Sequence, residues 1–591
     1  MIANRHRSER RGIVLLAVLI VVVLLSLAAY QFSDMTSQEY QLTHKLTRSA
    51  QARALAASGV HYSAAMLSNP NAYSQVLMGN PFSNQAAFDG SQMQPDSFQG
   101  VKGWFRIVAP FNPEDMSNNQ QPPYNFGVTD ESGKININAL MQLDSNGDTC
   151  YNVLLQLPNM TTELAESIVD WMAPSGSRPN QAAESSYYAS LPQPYQCKFG
   201  PVDTMDELLS IHNMTPALLY GDNVNRSGIP SSSQPGNGTF NPGLAAYITV
   251  YSTEPNVNSA GSPRININMP LTSQTDVTTL QSNIQQAFTA AGVDGQAIAN
   301  FIVAARLHGG IVALPTTTSA RRPASNGAQT TIPSNQLTFG TNGQQTSNIT
   351  SLYQLINGQV NATTGSTNTI MLGNLRLTTM TMVSYPSPLN DSTTLQSLAP
   401  VIFDQLTTTS NAYVPARVNI DTAPLAVLQA IPYMWQPGSP NGTTWVSSTS
   451  SSSGSSTTGG TTTPATTTTP RAGGTGGTTN NYTEYNQLPQ QIYQARQAFM
   501  QMQQPPAIYT TPLWMLSQQQ QTFSPAVTSA MLQKLEPYIT ATTSVYRVQS
   551  IGEYENGGPY ARIEAVIQVL AQRPRFLLYH ELTDLGKGID D

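Results

Sequence analysis

The stretch near the start of the chain constrains it most. Arg5, Arg7, Arg10 and Arg11 precede Gly12, and from Ile13 to Ala29 every residue except Ser26 is apolar. In a helix that run spans about 26 Å, close to the ~30 Å hydrocarbon core of a bilayer. The basic flank holds the N-terminus on the cytoplasmic side. Three readings are open: a secretory signal peptide cleaved near Ser26-Leu27-Ala28, a plain single-pass anchor, and a leader cut after Gly12 that leaves the apolar helix on the mature chain. The run exceeds the roughly 7–15 apolar residues of a signal peptide. Helical character also continues through residues 51–67, where Leu55, Ala56, Gly59, Val60 and Ser63 recur at helical spacing. The third reading accounts for both: one long helix begins in the membrane and continues as the spine of the domain that follows.

Composition narrows the function classes. Only 10% of the 591 residues are charged, against about 25% in an ordinary soluble domain. Lys and Arg number 27 against 34 Asp and Glu, a net charge of −7, which argues against broad nucleic-acid binding. The six histidines are scattered with no H-E-x-x-H, and no C-x-x-C exists. Gly127 to Lys134 has the wrong spacing for a phosphate loop, with Ile135 where Ser or Thr must reach magnesium. No catalytic constellation is present, and the chain reads as a structural protein rather than an enzyme. The two cysteines, Cys150 and Cys197, exclude a disulfide framework. In an oxidising compartment they form either one bridge or two buried thiols.

A repeat organises the middle of the chain. Lys134-Ile-Asn-Ile-Asn138, Arg264-Ile-Asn-Ile-Asn268 and Arg417-Val-Asn-Ile-Asp421 share a basic residue followed by alternating β-branched and amide side chains. After the first, Leu154-Leu-Gln-Leu-Pro158-Asn159-Met160, Ala165 and Ile168 approach a helix-hairpin-helix pattern. Asn159 and Thr161 replace the glycines that bring backbone N–H groups to a phosphate. An αα-hairpin used for packing is the favoured reading; the alternative is a membrane-anchored helix-hairpin-helix binding module, for example in DNA uptake. Helices are predicted over 284–306, 395–406, 423–431 and 488–502, and strands over 101–108 and 124–129. A hairpin of 544–548 with 561–569 turns at Asn556-Gly-Gly558. Residues 446–481, almost wholly Ser, Thr and Gly, read as a flexible linker.

Taken in order, several motifs resemble one family. They are the Arg-rich stretch ending at Gly12, Asp130-Glu131-x-Gly133-Lys134-Ile-Asn-Ile-Asn138, Ile168-Val-Asp170-Trp171, Ala183-Glu184-Ser-Ser-Tyr187-Tyr188, Val202-Asp-Thr-Met-Asp-Glu207-Leu208 and Val418-Asn-Ile-Asp-Thr-Ala-Pro424. Together they are similar to the general secretion pathway protein K family, the minor pseudopilin of type II secretion systems. The resemblance implies an α+β fold: a long N-terminal transmembrane and spine helix, a pilin-like antiparallel β-sheet, and a large, mostly helical insertion with helix-hairpin-helix-like units. The expected divisions are a prepilin leader at 1–12, the helix at 13–67, the first part of the sheet at 100–138, the insertion at 139–530 and the closing hairpin at 540–580.

By the same resemblance, prepilin peptidase cuts between Gly12 and Ile13, the new N-terminus is methylated, and the chain is a single-pass inner-membrane protein with its bulk in the periplasm. Its implied partners are the I- and J-type minor pseudopilins, at the pseudopilus tip, and no nucleic acid. Most pseudopilins carry Glu at the fifth mature position, a Glu that the K family characteristically lacks; here that position is Ala17. The family's insertion is also known to hold calcium. Asp170 and Glu184 match its acidic pattern, but Ala173, Ser175 and Ser185 stand where further acids would. Asp144-Ser-Asn146-Gly-Asp148 has the D-x-N-x-D spacing of a calcium loop, without the following Gly and distal Glu. It is either a polar turn or a second ligand set.

Overall fold

The computed structural model describes residues 9–95, 102–112, 124–179, 181–222, 225–230, 240–314, 331–340, 346–372, 375–434, 487–500, 507–517, 523, 526–554, 557–570 and 573–589. The first eight residues and the Ser/Thr/Gly-rich stretch 446–481 lie outside them.

Helix α1 (Glu9–Ser68) is continuous from the apolar run to the domain. It ends at Asn69-Pro70, since proline disfavours helical geometry in the residue before it, and the Asn69 side chain caps the next helix. Along its last five turns Ala52, Ala56, Val60, Ala64 and Leu67 are buried. This stripe of mostly small side chains lets the helix lie close against a sheet. The sheet's main strands are β1 (Ser91–Pro95), β2 (Lys102–Pro110), β3 (Val545–Tyr554), β4 (Ala561–Leu570) and β5 (Arg573–Glu581), adjacent in that order and antiparallel throughout. Phe105, Ile107, Val548, Ile563, Ala565 and Ile567 share one core with the helix stripe. Strand β5 was not anticipated from the sequence.

The meander is cut between Asp130 and Val545 by the insertion, which has its own continuous core. Each basic–β–Asn motif opens with a two-residue strand that pairs in parallel with a second one far along the chain. Ile135–Asn136 meets Ile248–Thr249, Ile265–Asn266 meets Leu406–Thr407, and Val418–Asn419 meets Ile539–Thr540. Between each pair lies a helical unit. The first holds α2 (Ile137–Leu143), α3 (Asp148–Leu154), α4 (Thr162–Met172) and α5 (Gln181–Ser190); the second α6 (Gln274–Ala290), α7 (Gln296–Leu307) and α8 (Ser392–Gln405); the third α9 (Leu425–Met434) and α10 (Leu488–Met500).

The motif's last amide explains the repetition. Asn138 donates to the carbonyl of Val202 at 2.8 Å and accepts its N–H at 2.9 Å. Asn268 does the same with Ile349, at 2.7 and 2.9 Å. In the third unit Asp421 takes the place of the amide and accepts the Trp514 indole N–H at 3.0 Å. In the second and third units a buried arginine from a following helix binds one carbonyl within the motif and one just past it: Arg306 those of Ile267 and Met269, Arg496 those of Ile420 and Ala423.

Two elements differ from expectation. The stretch 284–306 is not one helix: it breaks at Gly292, whose φ of 80° suits glycine, before α7 starts. A long antiparallel hairpin, Gly358–Leu372 with Leu375–Pro386, belongs to the second unit, where no strand was expected.

Candidate functional site

Three regions bear on function, the first and third of them holding the candidates expected from the sequence. The first is the start of α1. Its large apolar side chains from Ile13 to Leu27 are all at least half exposed, and a window in Ile13–Ser68 has a mean hydropathy of 3.1. That half is long and apolar enough to cross a membrane. Ala17 lies in it, so no side-chain carboxylate occupies that position.

The second region joins the insertion to the sheet. Glu131 is fully buried; it accepts from Lys134 Nζ at 2.9 Å, Arg547 Nε at 2.7 Å and the Thr249 hydroxyl. Burial alone would raise its carboxyl pKa, but Arg547 and Lys134 more than offset this and hold it well below the ordinary range. Arg547 also pairs with Glu564 at 2.6 Å. Asp130, beside it, accepts from the Ser132 N–H, Asn419, Thr422 and Thr543. A cleft of about 1110 Å³ opens here, lined among others by Tyr73, Phe82, Asp130, Thr422 and Tyr509. The Asp130 side chain facing it is already saturated by the protein's own donors.

The third region is the first helical unit. Asp144 takes the N–H of Asn146 at 3.2 Å with one oxygen, and the N–H and hydroxyl of Thr149 at 2.9 and 3.0 Å with the other. It closes a polar turn into α3. Asp148 pairs with Arg178 at 3.3 Å, and so does Asp170, at 2.7 Å. Glu184 accepts from Ser167 at 3.1 Å and lies 3.3 Å from the His212 ring, which stacks on Tyr187. Its second oxygen is buried without a hydrogen bond. The implied calcium therefore does not fit: its candidate donors are engaged by an arginine, a turn and a histidine. Among the described residues no three His, Cys, Asp or Glu side chains are grouped to hold a metal.

Cys150 and Cys197 are both buried and stand as separate thiols. Burial pushes the Cys150 thiol up to about 12. At the α3–α4 turn Asn159 takes the positive φ, 61°, expected of glycine. Thr161 caps α4 by accepting the Leu164 N–H, and Glu163 occupies the first turn, an arrangement that opposes a phosphate.

Residues 133–220, from the motif strand through the Arg178 cluster, match the family model of the type II secretion system (T2SS), protein K. This segment is similar to a protein K domain. No match was found among curated proteins or solved structures. Protein K is a structural pseudopilin family, not an enzyme family. The matched segment coincides with most of the first helical unit; the second and third units repeat its motif outside the match. The sequence reading missed Arg306 and Arg496, whose only signal was a shared Ile-x-x-x-Arg spacing from Ile302 and Ile492.

Proposed function

We propose that this chain is a minor pseudopilin that caps the periplasmic pseudopilus of a type II secretion system and supports protein export across the outer membrane. It is cut by prepilin peptidase between Gly12 and Ile13, held in the inner membrane by Ile13–Ala29, and joined at the tip by I- and J-type minor pseudopilins. The observation that carries this reading is where the insertion sits. A pilin-like meander is interrupted between Asp130 and Val545 by a lobe with a larger core than the sheet's own. Such a lobe, repeated at every step of a thin fibre, would clash with its neighbours.

Ala17 supports the same place. An acid there would gain by pairing with the N-terminal amine of the subunit above. A capping subunit has none above it, and the carboxylate would cost about 2.5–3.5 kcal/mol in hydrocarbon. Immunogold labelling of assembled fibres is expected to mark one end only; labelling along the shaft would sink the tip role. N-terminal mass spectrometry of membrane-extracted protein is expected to find Ile13 first. A mature chain beginning at Ala29 would exclude the pseudopilin altogether.

A further inference from the structure

Two segments that the sequence offers as separate calcium candidates meet around one side chain. Arg178 lies on the loop between α4 and α5. Its Nε donates to Asp170 Oδ1 at 2.7 Å, and its Nη1 to the Asn146 carbonyl at 2.9 Å and to Asp148 Oδ1 at 3.3 Å. Carboxylates and a main-chain carbonyl from two chain segments, converging on one point, resemble the donors of a hard divalent cation. Here the point is held by a guanidinium, whose planar fork suits several oxygens at once.

We infer that Arg178 supplies in this chain the cross-link that a bound calcium ion would supply, so that the first helical unit is complete without metal. Three observations support the substitution. Asp170 has a side chain only 2% exposed, so its charge needs a fixed partner, and Arg178 is itself 15% exposed. Among the described residues three oxygens accept from the guanidinium, against the roughly six to eight that calcium takes. The remaining acidic candidates, Asp144 and Glu184, are turned to Thr149 and to Ser167 and His212. The cation therefore comes from the chain itself and joins the Asn146–Asp148 turn to the end of α4.

The chain's two cysteines provide a local probe, because Cys150 and Cys197 both lie in the core of this unit. Under reducing conditions, maleimide labelling of the full chain in detergent reports how often the unit opens. The labelling rate is expected to be the same in EGTA and in millimolar calcium. Faster labelling in EGTA would overturn the inference, since it would mean that a metal holds the unit closed. Arg178→Gln is expected to speed labelling about tenfold or more by leaving Asp170 buried and unpaired; an unchanged rate would equally overturn it. The double variant Arg178→Gln/Asp170→Asn should recover part of that loss. Strictly additive effects would show that the two side chains do not act as a pair.

Discussion

Glu131→Gln is expected to lower folding stability by about 3–5 kcal/mol, the range for breaking a buried ion pair from one side. Whole domains have only about 5–15 kcal/mol. The size follows from what remains. Lys134 and Arg547 would both be left inside the protein undercompensated, Arg547 retaining Glu564 and Lys134 losing the carboxylate it pairs with. Thr249, from the second strand of the first unit, would lose a charged acceptor as well. The cluster joins three parts of the fold: the loop after the sheet's first half, β3, and the insertion's first parallel pair. Arg53→Ala is the contrast, because Arg53 and Glu581 are 59% and 41% exposed and such pairs contribute about 0–1 kcal/mol. Urea unfolding followed by tryptophan fluorescence separates the two; equal effects would refute the buried-junction argument.

The same carboxylate sets an acid limit. Its folded pKa lies below the ordinary 4.5, so its stabilisation is complete above that value and is lost as pH falls through the folded one. Glu254, held down by Arg417 and Arg264 against the opposing effect of burial, carries the same sign. The contributions of these two carboxylates should therefore decline below about pH 4.5, and the acid loss of stability should be less steep in Glu131→Gln than in the parent.

Much of this architecture is legible in the sequence where a local pattern has a local cause. The Ala56–Val60 stripe announces a buried helix face at helical spacing, and the three basic–β–Asn motifs announce three units. The features that stayed hidden depend on distant partners. Arg306 and Arg496 look like surface cations until the carbonyls of Ile267 and Ile420 are placed beside them. Gly292 sits in a run whose apolar period continues into α7, so the pattern alone predicts one helix there. The Thr-rich segment 358–386 lacks strong apolar alternation, and its two strands stabilise each other instead. The Asp144–Asp148 turn and Asp170 were separate candidates because Arg178, which unites them, carries no calcium signature of its own.

Gly552→Ala is expected to lower stability by about 3 kcal/mol or more, at or beyond the upper end of ordinary overpacking. Gly552 lies in β3 where α1 crosses the sheet. A methyl built there would sit 2.2 Å from the Ala52 carbonyl oxygen and 2.5 Å from the Ala56 nitrogen. Both obstacles are backbone atoms in a helix interior, so no rotamer change relieves them and α1 must lift by roughly 1 Å. A gap of that order forfeits a quarter to a half of each dispersion contact it opens, and the contacts at stake are those of Ala52, Ala56 and Val60 with the sheet. Gly200→Ala is the control: its new methyl would meet nothing nearer than the Lys198 carbonyl at 3.8 Å. Thermal unfolding should leave Gly200→Ala near the parent and bring Gly552→Ala several degrees lower, with Gly552→Val lower still. If both Gly552 variants melted like the control, the close approach of helix to strand would be refuted. Because α1 is also the membrane-spanning candidate, loosening this crossing weakens the connection between anchor and sheet. Under the pseudopilin reading, export should then fall in Gly552→Val while the protein still reaches the membrane.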